Sequence, residues 1–242
     1  MAVDPRFNMT MERAASDAAV DAGLRSYMLR VYNLMALGVA FTGAVCLYVA
    51  SNMALLQSLA SAHLILFFAV LGAGFIIPKV IMTKSLAAAQ GAFWVYAGLL
   101  ALMVSPMVAL YLNQSPMIVA RAFFITAGMF AGVSLFGYTT KKDLSGWGRF
   151  LMMASIGLLI ALVVNFFFGS STIGLFLSVG VVLLMAAMTA YETQEIKSMY
   201  FAAESEDQAK RFAIMGALNL YGSFVIMFVH VLNILGVMNS DD

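Results

Sequence analysis

Charge is what this sequence has least of. Ten per cent of its 242 residues are charged and 63% are hydrophobic, with a mean hydropathy of +0.94. A soluble domain carries about 25% charged residues, so an ordinary soluble protein is excluded and a multi-spanning membrane protein is indicated. The basic residues are scattered at the ends of apolar runs and not clustered on a face, which argues against a nucleic-acid partner. There is one cysteine, Cys46, so no intrachain disulfide can form; it sits in an apolar run and reads as a small core residue. Two histidines, His63 and His230, leave no metalloprotease site. Between residues 212 and 240 there is neither an acid nor a lysine, which removes the second carboxylate of an aspartyl dyad and the Schiff-base lysine of a retinal protein. No Gly-x-Ser-x-Gly elbow surrounds Ser223. The chain is therefore read as a non-enzyme without a resident cofactor.

What is present in abundance is hydrophobic run. Seven can be counted, over about 31–51, 62–78, 86–104, 117–138, 150–168, 172–191 and 212–236. Each is near the ~20 residues that cross a ~30 Å hydrocarbon core. The expectation is an all-α integral membrane protein of seven transmembrane helices. It divides into an N-terminal segment 1–30, a transmembrane domain 31–238 and a short tail 239–242. Residues 1–30 hold eight charges and no apolar core of a signal peptide, and a short amphipathic cytoplasmic helix running into the first span is expected over residues 10–30. The connections are short except 192–211, which is charged and expected to be partly helical, with Glu195 and Lys197 as ordinary loop charges.

Twelve of the thirteen basic residues fall in the N-terminal segment and the second, fourth and sixth connections; only Arg121 falls on the other side. Positive charge favours the cytoplasm, which places the N-terminus there and the C-terminus outside.

The seventh run carries Asn219, Ser223, His230 and Asn233. At about 100° per residue these share a stripe roughly 80° wide, which should face protein or water instead of lipid. Either the seam lines a path or it packs. Asn165, late in the fifth run, faces the same choice, and His230 is a candidate pH sensor or a packing histidine. Arg121 either lines an outer vestibule or snorkels to a lipid phosphate. Glu192 ends the sixth run, where a carboxylate can bind a cation, exchange a proton or simply pair with a nearby lysine. Gly128 and Gly132 form a GxxxG match that predicts close helix packing.

Several segments carry a family resemblance. These are Ala122 through Phe130, Gly137 through Ser145, Tyr191-Glu192-Thr193-Gln194 and Leu218-Asn219-Leu220-Tyr221. Together, in order through all seven spans, they resemble the Bax inhibitor-1, or transmembrane Bax-inhibitor-motif, family in its bacterial form. The resemblance implies a bundle whose last helix is surrounded by the other six, in a bacterial inner membrane. It implies a pH-sensitive calcium leak, with calcium as the transported ion, and, for some bacterial members, a membrane-bound AAA protease as partner. The family's pH sensor is a pair of aspartates. Here the first position is Glu192, and the second falls on Ser223 within Leu220-Tyr221-Gly222-Ser223-Phe224. Two nearby carboxylates can share a proton or grip a divalent cation; a Glu–Ser pair keeps a hydrogen bond and loses one charge. Two functions follow: a calcium or proton leak with Glu192 as gate and Ser223 beside it, or a non-conducting modulator that binds another membrane complex.

Overall fold

The computed structural model describes the backbone of residues 5–239 and the side chains from residue 20 onward. All secondary structure among them is helical. The order is α1 (Pro5–Ala50), α2 (Met53–Ser61), α3 (His63–Thr83), α4 (Leu86–Gln114), α5 (Pro116–Thr139), α6 (Trp147–Phe168), α7 (Ser171–Ala202) and α8 (Glu206–Met238). All but α2 include a stretch long and apolar enough to cross a membrane, seven in total. Helix is the expected solution, because hydrocarbon offers no partner for backbone N–H and C=O groups.

The punctuation between helices is polar and local. Asn52, Ser85, Ser170 and Ser205 each accept the N–H of the residue three positions on, at 3.1–3.3 Å, and so cap α2, α4, α7 and α8. Pro116 opens α5 at its first turn, where a missing N–H costs nothing. Gly169 closes α6 in the left-handed conformation, φ 65°. Pro78 and Pro106 lie inside α3 and α4 without ending them, so both helices outrun their apolar runs. The first connection holds the nine-residue α2, whose Leu56 joins Val49 and Ala109 in a small separate core.

α7 and α8 have 32 and 33 residues, about 48–50 Å at 1.5 Å per residue, well beyond a ~30 Å core. The charged segment after residue 191 is therefore mostly helical extension: α7 runs through Glu195 and Lys197 to Ala202, and α8 starts at Glu206. α8 is the most enclosed span. Half of its most apolar stretch is buried, against 6% for α6. Leu220, Tyr221, Met227 and Leu232 are fully buried. α8 packs on α1, α3, α4, α5 and α7, while α6 packs on α7 alone. The last helix is thus central, but its ring is incomplete where α3 and α6 fail to meet.

The polar ends cross-link the bundle. Arg211 at the start of α8 donates to the Ile81 carbonyl at 2.9 Å and to the Lys84 carbonyl, closing the C-terminus of α3, where a cation also complements the helix dipole. Gln194 grips the α5–α6 loop, accepting from Leu144 N–H at 2.7 Å and donating to the Lys142 carbonyl at 2.9 Å. Lys197 donates to the Tyr138 carbonyl at 3.2 Å. These contacts gather Lys84, Lys142, Lys197 and Arg211 at one end of the bundle. The acidic pair Asp241-Asp242 lies outside the described residues.

Gly128 and Gly132 do not mediate helix packing. A Cβ on either would meet no atom within 4 Å. The close approach in α5 falls instead on Gly137, where a Cβ would run into the backbone of Ala190 on α7. A GxxxG spacing names a smooth stripe on a helix, and neighbours decide which glycine is used.

Candidate functional site

The site is built on four consecutive residues of α7. Successive positions on a helix point about 100° apart, so Tyr191, Glu192, Thr193 and Gln194 reach different neighbours. Glu192 turns to α8, where the Ser223 hydroxyl donates to its Oε2 at 2.8 Å. Thr193, fully buried, turns to α5: its Oγ1 lies 3.0 Å from Ser134 Oγ, and it also donates to the Thr189 carbonyl at 2.7 Å. Tyr191 lies against Gly148 of α6, where a Cβ would stand 2.7 Å from the phenol oxygen. Gln194 holds the loop between α5 and α6. One turn of helix therefore fastens α5, α6, α8 and a loop to α7.

A hydroxyl relay continues from Thr193. Ser134 Oγ lies 2.6 Å from Tyr32 Oη on α1, so Tyr32, Ser134 and Thr193 form a chain from the α1–α5 gap to the residue beside Glu192. On the other side of α8, Tyr221 is fully buried. Its hydroxyl lies 2.7 Å from Thr42 Oγ1 and donates to the Ala97 carbonyl at 3.2 Å, joining α1, α4 and α8. Gly38 leaves the space this ring needs; a Cβ there would sit 3.1 Å from Tyr221 Cδ2.

Glu192 and Ser223 are brought together, and the remaining polar candidates are not. His230 lies seven residues beyond Ser223, about 10 Å along α8, with Nδ1 3.1 Å from the buried Ser178 Oγ of α7. It also borders a cavity of about 450 Å³ at the gap between α3 and α6. Asn233 lines a separate cavity of about 350 Å³ with Tyr111 and Gln114 of α4. Arg121 is exposed and borders a shallow pocket with Leu235 and Asn239. Asn165 sits at the far end of α6 beside Gly174, with Oδ1 enclosed and unpartnered among the described residues. Asn219 is half-buried, one turn before Ser223, and makes no side-chain hydrogen bond among the described residues. Between Ser223 and His230, Phe224 meets Phe130 and Phe123 edge-on at 5.5 and 6.0 Å and Met227 is fully buried, while Phe224, Val225 and Phe228 also border a cavity of about 320 Å³ toward α1, α4 and α5.

Chemically, the pair offers one carboxylate and one hydroxyl. Calcium takes six to eight oxygens, so an ion at this point would keep most of its ligands as water. Among the described residues no group of three or more His, Cys, Asp or Glu stands close enough to hold a metal. Sequence reasoning did not find Ser134, Tyr32, Ser178 or the Gln194 clamp. The only signal was hydroxyls and amides inside or beside apolar runs, and that signal does not name a partner.

The comparisons with known proteins agree with this architecture. The family described as inhibitor of apoptosis-promoting Bax1 matches residues 24–241. A protein of Rickettsia prowazekii is 36% identical over 95% of this chain and 97% of its own length. One from Deinococcus radiodurans is 40% identical over 87% of this chain and 90% of its own. The inner membrane protein YbhL of Escherichia coli is 35% identical over 91% of this chain and 96% of its own. A seven-span bundle with a central last helix, matched over residues 24–241 by this family and over 87–95% of its length by these relatives, belongs to the Bax inhibitor-1 family.

Proposed function

We propose that the chain is a pH-sensitive cation leak, for calcium or protons, in a bacterial inner membrane, with Glu192 as the acidic gate. The observation that carries this reading is the 2.8 Å Ser223–Glu192 hydrogen bond between the central helix and α7. The Escherichia coli relative's name supports the membrane assigned. The charge distribution supports a cytoplasmic N-terminus and an outer C-terminus. An ionised carboxylate attracts a cation and a protonated one does not, so flux should rise as Glu192 deprotonates. On this reading the contact of Phe224 with Phe130 and the burial of Met227 correspond to a closed state, and conduction requires α8 to part from its neighbours there. Calcium and proton flux into proteoliposomes across pH 5–9 tests the reading. The expected result is flux rising with pH in the native chain and a low, flat profile in Glu192→Gln. Unchanged flux and pH response in that variant would overturn it.

A second reading is favoured by the hydroxyl at Ser223, which leaves a single acid where a divalent ion would need more charge. Under it, the chain conducts nothing and modulates another membrane complex, such as a quality-control AAA protease. Crosslinking in native membranes followed by pull-down should then recover one stable partner. Recovery of none, together with flux in proteoliposomes, would dismiss it.

A further inference from the structure

α1 and α5 flank a gap. Neither packs on the other, although both pack on α4, α7 and α8. Among the described residues their one side-chain hydrogen bond is Tyr32–Ser134, at 2.6 Å. The gap is a groove of about 660 Å³ whose walls are almost wholly apolar, from Met28, Met35 and Ala36 on one side and Phe130 and Ala131 on the other. Its rims, Leu29 and Leu135, are 51% and 62% exposed, so it opens sideways to the surroundings of the bundle. For a spanning bundle those surroundings are hydrocarbon.

Two features say what fills it. Along α1 the lining runs from Arg25 to Ala36, a rise of about 16 Å, which is the depth of one leaflet of a ~30 Å core. One end is positively charged. Arg25 lines it, is exposed and takes part in no ion pair among the described residues. At the same end Tyr138 lines the groove, with the Lys197 ammonium 5.0 Å from its ring centre. Midway along the groove the Tyr32 and Ser134 hydroxyls satisfy each other, so its remaining hydroxyl, that of Tyr138, stands with Arg25 at the charged end.

We infer that this groove is a binding site for one anionic phospholipid, its phosphate on Arg25 and an acyl chain laid along α1 between α1 and α5. Surface attraction of a basic residue for anionic lipid corresponds to roughly fivefold in affinity. The site does not depend on whether the chain conducts ions, so failure of the leak reading leaves it standing.

Native mass spectrometry of the full chain, titrated with phosphatidylglycerol or phosphatidylethanolamine, tests it. The native chain should bind one phosphatidylglycerol about fivefold more tightly than phosphatidylethanolamine. Arg25→Gln should abolish that preference, and Ala131→Trp, placed at an exposed groove position, should remove the tight site for both lipids. Arg149→Gln, at an exposed basic residue outside the groove, should leave the preference intact. The inference fails if Arg25→Gln retains the preference, or if Arg149→Gln loses it equally. It also fails if the native chain flies as a dimer that Ala131→Trp separates, because a second copy then fills the groove. Should Ala131→Trp not fold, Arg25→Gln, at an exposed position, still decides.

Discussion

Replacing Gly137 with alanine inserts one methyl where two helices touch. The added Cβ would lie 2.9 Å from both the Ala190 Cα and carbonyl carbon, and nearer still to its oxygen. Those are backbone atoms and cannot rotate away, so α5 and α7 must separate. Overpacking of this kind costs about 1–3 kcal/mol, and a rigid backbone neighbour argues for the upper half of that range. The Ser134–Thr193 hydrogen bond, 3.0 Å long, spans the same interface three residues away on each helix and should stretch with it. An interhelical hydrogen bond in a membrane protein averages about 0.6 kcal/mol. The sum is about 2.5–3.5 kcal/mol. Alanine's better helix propensity, up to about 1 kcal/mol, returns part of it. Gly132→Ala is the matched control: the same methyl on the same helix, with nothing within 4 Å to meet. It should be neutral or slightly stabilising. Equilibrium unfolding in mixed detergent micelles, followed by circular dichroism, would measure both. Equal midpoints for Gly137→Ala and Gly132→Ala would refute the claim that the α5–α7 contact is set by Gly137.

Tyr221→Phe removes the hydroxyl that joins Thr42 and the Ala97 carbonyl while keeping the buried ring, and should cost about 1 kcal/mol in the same unfolding assay. Gln194→Ala releases both grips on the α5–α6 loop; amide exchange at Leu144 should accelerate several-fold while exchange in α8 stays unchanged. Asp143 accepts the Ser145 N–H at 2.8 Å, and that backbone hydrogen bond holds its carboxyl below the usual carboxylate range. A lowered value in the folded chain means that the loop gains order above pH ~4, the unfolded carboxylate's range, and loses it as pH falls through the lower folded value. Protection of the Ser145 amide should follow that acid titration and should lack it in Asp143→Asn; identical profiles would remove Asp143 from the account.

Much of this protein was determined by its sequence alone. Scarce charge and seven apolar runs demand helices, because lipid leaves the backbone no other partner. The Asn and Ser caps before α2, α4, α7 and α8 act within three residues, so they too are local properties. Glu192 was visible as a carboxylate at the end of a span. What lay beyond local reach was partnership. The polar stripe of α8 looked continuous, yet Ser223 and His230 turn to Glu192 and Ser178 of α7, whereas Asn233 borders a cavity beside α4. GxxxG spacing pointed to Gly128 and Gly132, yet Gly137 makes the contact. A helix displays every face at once, and its own residues do not record which neighbour will cover each. That choice belongs to the packing of the whole bundle, which sets Ser223 against Glu192 and leaves α1 and α5 apart.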